Sequence, residues 1–284
     1  MPSISIFGAS DELWKQVRIG KCPLKLRDEA VKLSIEIRDI LCGNPSITES
    51  VQQLRNGSSS FSEQRQLPRS LFAICITLDH YGQFPKAREL LQFVRCDTLF
   101  EEALLMQPLV TFEERSLLKD WIWVLTCYGQ ALYRDHRLEE SFDVVSINDA
   151  KPILSAAKIL LGEEYDELTL AFVKLLESRV DRGVALKNAE IHVVEKLNQA
   201  CKVFRDYEHP LFWGKATLDL ALAEYCAHNY ERATIHLEQL KNSPEFHDDA
   251  YWECSYRITK SRILGKTKEG LADSFSRLLE VWAP

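Results

Sequence analysis

The stretch TLDLALAEYCAHNYERATIHLEQL, residues 217–240, contains the pattern that decides the fold. Apolar residues recur at every third or fourth position on both sides of a short polar break between residues 227 and 230, which predicts two helices joined by a tight turn. Ala221 in the first helix lies twelve residues before Ala233 in the second. Two antiparallel helices approach closely only where the side chains at their crossing are small. The stretch therefore predicts a helical hairpin.

Two other parts of the chain carry the same spacing, namely residues 71–94 and 125–145. In each, a small residue is followed twelve positions later by another, and an apolar residue stands four positions beyond the second. The small pairs are Cys75 with Ala87 and Gly129 with Ser141, and the apolar residues that follow the three pairs are Leu91, Val145 and Leu237. Because one hairpin cannot bury both of its faces, a repeated hairpin predicts stacking.

The segments YGQFPKA, HRLEES and HNYERA, with the apolar residue four positions on, resemble tetratricopeptide repeats. The resemblance implies an all-α fold, a right-handed α–α superhelix in which antiparallel helical hairpins form a solenoid. The family repeats at about 34 residues. Here Ala87, Ser141 and Ala233 lie 54 and 92 residues apart, so the array is irregular. The alternative is an unrelated helical bundle.

Composition agrees with helices over most of the 284 residues. The chain is 46% hydrophobic and has only 11 glycines and 10 prolines, too few turn residues for an all-β fold. We predict an N-terminal helical hairpin in residues 1–55, with an extended strip at residues 1–10. A flexible loop follows at residues 56–70, and the repeat array at 71–284. The helices of the array are predicted near 69–81, 84–95, 98–106, 111–134, 138–146, 150–161, 164–180, 187–206, 211–227, 230–241, 248–264 and 268–282.

Charge and cysteine usage limit the function classes. A net charge of −7 argues against nucleic acid as the main partner, because neutralising phosphates needs a basic face. The sequence contains no run of 18 apolar residues, so we expect no membrane insertion. Its start lacks the features of a secretory signal. The eight cysteines form no CxxC pair, which favours reduced thiols in a cytoplasmic or nuclear protein over a disulfide framework or a zinc site.

Candidate binding residues come from the resemblance. In tetratricopeptide arrays the first helix of each hairpin lines the concave face, and this implies a partner-binding groove. Its residues would be Phe72, Ile76, His80, Trp123, Gln130, Tyr133, Arg134, Lys215, Leu222 and Tyr225. The family's clamp for chaperone carboxylates is absent, because the clamp positions hold Phe72, Ile76, Thr126, Gln130 and Lys215, and only Lys215 among them is basic. The alternative for each residue is a place in the core, since an apolar stripe along a helix more often packs inside the molecule.

Catalytic signatures are missing from the sequence. It has no HExxH, GxSxG, P-loop or GxGxxG motif, so we expect no metal site, no cofactor and no enzyme activity. The predicted function is a protein–protein interaction scaffold, a subunit of a multiprotein assembly by analogy with ubiquitin ligases, coats or loading factors. Its partners would be proteins or peptides, and self-association through Trp282 is a further expectation. The alternative function is a sensor or adaptor that binds a peptide or small ligand in the groove.

Overall fold

The computed structural model describes residues 3–18, 25–40, 47–93, 111–135, 152–155, 157–158, 166–184 and 190–246, and the pairs 252–253, 256–257 and 259–260. All secondary structure in these ranges is helical, which confirms the predicted all-α class. The predicted helices at 98–106, 138–146 and 268–282 lie outside the described residues. The right-handed superhelix stays a prediction.

Ten α-helices and one 3-10 helix are defined in the described ranges. They are α1 (Ser3–Arg18), α2 (Lys25–Ile40), α3 (Ile47–Arg55), α4 (Phe61–His80), α5 (Phe84–Phe93), α6 (Phe112–Asp135), α7 (Glu167–Val184), α8 (Glu190–Asp206), α9 (Pro210–Cys226), α10 (Tyr230–Lys241) and the 3-10 helix Pro244–Phe246. None of these helices is long and apolar enough to cross a membrane.

The predicted extended strip at residues 1–10 is wrong, because α1 begins at Ser3. The alternation of Ile4 and Ile6 covers too few residues to define a strand. The longer pattern decides the structure: Ser10, Leu13 and Val17 are buried at helical spacing along one face of α1.

The predicted loop at 56–70 is also shorter in the structure, since α4 already begins at Phe61. Ser60 caps this helix: its hydroxyl accepts a hydrogen bond from the Glu63 backbone N–H, and the Glu63 carboxylate accepts one from the Ser60 backbone N–H. This reciprocal capping box satisfies two backbone donors at the helix start. The serine-rich sequence therefore ends a short loop and starts a helix. Pro68 lies inside that helix.

The chain divides into two compact units, one of Met1–Val17 and Pro23–Val180 and the other of Arg18–Cys22 and Asp181–Pro284. In the first unit α4 is the central helix, packed against α2, α5 and α6. Its residues Leu71 to His80 are all buried, so this half of the helix has no solvent-facing side.

In the second unit α9 has the central position, between α8 and α10. Nearly all of its side chains from Leu211 to Glu224 are buried. A helix that is apolar around its whole circumference is one that its neighbours enclose. Pro210 stands at its first turn, where the missing N–H of proline costs no helical hydrogen bond.

Three connections between helices have three residues and the same hydrogen bonds. They join α4 to α5, α8 to α9 and α9 to α10, and their left-handed residues are Gly82, Glu208 and His228, with φ of 71°, 52° and 63°. In the last of them the His228 N–H donates to the Tyr225 carbonyl and the Asn229 N–H to the Glu224 carbonyl. This is the Schellman arrangement, which satisfies the last carbonyls of a helix.

Candidate functional site

The ten predicted groove residues fall into three groups. Five are buried: Phe72, Ile76, His80, Gln130 and Lys215. Three are half-buried: Trp123, Leu222 and Tyr225. The backbone of Tyr133 and Arg134 lies in α6, but their side chains lie outside the described part of the chain. The first group therefore has no surface on which a partner could bind directly, and the accessible candidates are those of the second group.

Phe72 lies at the centre of an aromatic cluster formed by Trp14, Phe72, Trp123 and Phe172. These rings come from four helices of the first unit, α1, α4, α6 and α7. The Phe72 ring is 5.2 Å from Trp14, 4.8 Å from Trp123 and 5.6 Å from Phe172, each at a steep edge-to-face angle. Such geometry places the positive edge of one ring over the negative face of another. The cluster therefore joins the four helices.

Trp123 connects this cluster to a polar chain at the surface. Its indole N–H donates to the Thr169 hydroxyl at 2.7 Å, and that hydroxyl donates to the Asp166 carboxylate. Lys119 pairs with the same carboxylate at 2.9 Å. Burial alone would raise the pKa of Asp166, but the hydrogen bonds from Thr169 and the pairing with Lys119 outweigh it and lower the pKa. Asp166 therefore stays charged and holds the rim of the cluster in place.

Gln130 makes a polar contact inside the first unit. Its side-chain amide donates to Asp79 Oδ2 at 2.9 Å, and both residues are buried. A buried carboxylate needs hydrogen-bond donors, and an amide from a neighbouring helix provides one. The sequence places Gln130 in the groove, whereas the structure gives it this contact between α6 and α4.

The small residues of the repeat pattern lie at close helix contacts. Cys75, Ala87, Ala221 and Ala233 are all buried, as the hairpin prediction requires. Gly129 has a different neighbour from the predicted one. A Cβ added to it would lie 2.8 Å from the Leu176 Cδ2 atom of α7. Its predicted partner Ser141 lies outside the described residues, so here the glycine is explained by the approach of α7.

In the second unit, Lys215 is among the most completely covered side chains of α9, with 1% of its surface exposed. Asp219 follows four residues later on the same helix and is also buried. Gly214, next to Lys215, allows a close contact: a Cβ there would lie 2.7 Å from atoms of both Phe246 and Trp252. Lys215 thus belongs to the interior of its unit.

A partly exposed group of rings lies where α9 turns into α10, and we call it the Tyr–His cluster: Tyr225, His228 and Tyr230. Tyr225 and Tyr230 have ring centroids 5.6 Å apart, and Tyr230 lies 6.0 Å from the His228 ring. The Tyr230 hydroxyl and His228 Nδ1 are 2.9 Å apart, within hydrogen-bond distance. Leu222 is half-buried one helical turn before Tyr225.

Sequence reasoning missed several residues of these sites. Trp14 is not among the predicted site residues, because it lies beyond the predicted strip at residues 1–10 and outside the three repeat segments. Phe172 lies in a helix without the repeat signature, and nothing local to it indicates the cluster. Tyr230 and His228 carried a signal, since both belong to the HNYERA segment.

No protein-family model matches the chain, and no match was found among the curated proteins or the solved structures. Within the described ranges, no group of three or more His, Cys, Asp and Glu side chains is arranged to hold a metal ion.

Proposed function

We propose that this protein is a protein–protein interaction scaffold of the tetratricopeptide-like class, built from helical hairpins and acting as a subunit of a multiprotein assembly. The repeated three-residue turn supports the proposal. The same turn joins α4 to α5 and α9 to α10, next to pairs of small buried residues at spacings typical of helical repeats. Arrays of this kind present extended surfaces to other proteins.

We place the partner-binding surface at Leu222 and the Tyr–His cluster. This placement is supported by the exposure of these residues: two tyrosine rings, a histidine ring and a leucine are partly or fully exposed at the end of a helix that is otherwise enclosed. Tyrosine combines a large apolar ring with a polar tip, and it is enriched among residues that dominate binding energy. The proposed partner is a peptide segment or a protein surface with apolar side chains.

The proposal is tested by affinity capture of the full chain from its native cells, with quantitative mass spectrometry. The wild type is compared with Tyr225→Ala and Tyr230→Ala. We expect a stoichiometric set of proteins with the wild type and a loss of roughly tenfold or more with each variant, because truncating a binding hot spot costs about 2 kcal/mol or more. Circular dichroism must show the same helix content for all variants.

Ile235→Ala is the matched control. Ile235 is an exposed apolar side chain on α10, with 50% of its surface accessible, and it is no member of the Tyr–His cluster. Its removal should leave capture unchanged. Equal loss with all three variants would indicate non-specific adhesion, and a wild-type chain that captures no stoichiometric set would overturn the scaffold proposal.

A further inference from the structure

The end of α3 carries the dipeptide Asn56-Gly57, and both residues are exposed. Gly57 has a φ of 66°, and nothing lies within 4 Å of the position that a Cβ would occupy. An asparagine followed by glycine is open to attack by the next backbone nitrogen, because glycine has no side chain to obstruct the approach. We propose that Asn56 is a site of spontaneous deamidation, and that the C-terminal cap of α3 controls its rate.

The reaction needs only water. The Gly57 backbone nitrogen attacks Asn56 Cγ, a new C–N bond forms, and the Cγ–Nδ2 bond breaks. The side-chain nitrogen leaves as ammonia and takes up the proton that the Gly57 nitrogen loses, which leaves a five-membered succinimide ring. Water then opens the ring at one of its two carbonyls, giving aspartate or isoaspartate. No oxidant or reductant takes part.

The fold restrains the attacking nitrogen. The Gly57 N–H donates to the Leu54 carbonyl at 3.2 Å, and the Ser58 N–H donates to the Gln53 carbonyl at 3.0 Å. This is the Schellman arrangement again, now at the end of α3. The backbone N–H of Gly57 is therefore held in a hydrogen bond to the helix, and its nitrogen is not free to approach Asn56 Cγ. Deamidation follows the fraction of molecules in which the last turn of α3 is open.

The product would change how α3 is attached. Isoaspartate adds a methylene to the backbone, so the two cap hydrogen bonds no longer fit together. A new carboxylate at this position also opposes the negative end of the helix dipole. The next residue back, Arg55, makes a bidentate ion pair with Glu114 of α6, at 2.5 Å and 3.3 Å. Glu114 is 2% exposed, so loosening α3 withdraws the arginine from a buried carboxylate.

Peptide mapping of the full-length chain tests the proposal after incubation at mildly alkaline pH. Conversion at each asparagine is followed by the mass gained when an amide becomes an acid, and isoaspartate by its selective enzymatic methylation. Asn242 is the internal control, because it is exposed, directly follows α10 as Asn56 follows α3, and precedes Ser243, whose N–H donates to the Leu240 carbonyl as that of Gly57 donates to Leu54. We expect Asn56 to convert about tenfold faster than Asn242, and faster still in denaturant, where no cap restrains it.

Two variants test separately the reaction at Asn56 and its control by the C-terminal cap of α3. Asn56→Gln should abolish conversion at this position without changing the fold. Arg55→Gln removes the ion pair with Glu114 and should raise the conversion rate about threefold or more, together with faster hydrogen exchange at the Gly57 N–H. Equal rates at Asn56 and Asn242 would overturn the site. If Asn56 deamidates at the same rate in denaturant, the cap does not control the reaction. The same conclusion follows if Arg55→Gln speeds hydrogen exchange at the Gly57 N–H but leaves the deamidation rate unchanged.

Discussion

The two central helices, α4 in the first unit and α9 in the second, end in the same way but use different residues. The second half of α4 and most of α9 are enclosed by neighbouring helices, and each helix ends in a Schellman turn, with Gly82 after α4 and His228 after α9. Each also buries a carboxylate near its last turn. Asp79 accepts from Gln130 of another helix, whereas Glu224 accepts from Asn229 of its own turn at 2.7 Å.

This difference indicates what each end is suited for. The end of α4 is held by long-range contacts and is buried up to His80. The end of α9 satisfies its polar groups locally, within residues 224–232, and leaves the Tyr–His cluster partly exposed. A surface that does not depend on distant packing can change its side chains without unfolding the unit. We therefore expect substitutions to affect stability in α4 and binding at the end of α9.

The largest expected effect comes from Phe72→Ala. Removing a ring that contacts three other rings should lower the free energy of unfolding by about 3–5 kcal/mol. Leu222→Ala on α9 is the control, and its cost should be much smaller because Leu222 is only half-buried. Urea unfolding followed by circular dichroism measures both. A loss for Phe72→Ala no larger than that for Leu222→Ala would place Phe72 in a groove rather than in the core.

The next effect concerns the buried carboxylates. Gln130→Leu removes the amide that donates to Asp79, and should cost about 1–3 kcal/mol because the buried carboxylate loses one of its hydrogen bonds. Asn229→Ala removes the equivalent donor to Glu224, but Arg232 remains 3.9 Å from that carboxylate. Its cost should be about 1 kcal/mol or less. Equal costs in denaturant titrations would refute the distinction between long-range and local satisfaction.

Substitutions in the three turns should change the free energy of unfolding by smaller amounts, and in opposite directions. Gly82→Ala forces a side chain into left-handed backbone and should cost about 1 kcal/mol. Glu208→Gly removes such a side chain from the turn between α8 and α9, and should stabilise by up to about 1 kcal/mol. His228→Gly should gain less, because it also removes the contact between His228 and the Tyr230 hydroxyl. Thermal unfolding of the three variants measures these signs, and destabilisation by Glu208→Gly would contradict the argument.

Apart from α1, the sequence predicted the described helices and two of the hairpins, because their signals are local. Periodicity located α5, α6 and α10 to within a few residues, and the small pairs Cys75–Ala87 and Ala221–Ala233 are buried together with their helices. The break between α8 and α9 is predicted in the right place, since the predicted helices end near 206 and begin near 211. Its left-handed residue is not predicted, because Glu208 is an unusual residue for left-handed backbone. Its hydrogen bonds, rather than its residue type, define the turn.

The groove was less predictable, for a physical reason. Helical spacing shows which residues share a face, but it does not show what covers that face. Phe72, Ile76 and His80 do share one face of α4, and the enclosing helices bury it. Trp14 and Phe172 join this core from helices more than fifty residues away in either direction along the chain, and no local pattern records such contacts. Predicting them requires the tertiary packing.

The smallest expected effect is a pH dependence from His236 of α10, which interacts with Glu224 near the end of α9. Burial lowers the pKa of His236 below its ordinary 6.5, and Arg232 lowers it further, while a hydrogen bond with Gln239 and the charge of Glu224 act in the opposite direction. The unfolded chain therefore binds this proton more readily than the folded one. Stability should fall as the pH drops through about 6.5 towards the folded pKa, and should not fall further on that account below it.

His236→Gln tests this dependence, because glutamine does not titrate in that range. The variant should lose less stability than the wild type between about pH 7 and about pH 5, measured as the shift of the unfolding midpoint. An identical midpoint shift in the wild type and His236→Gln would show that other groups cause the acid sensitivity. The titration of His236 would then not distinguish the second unit from the first.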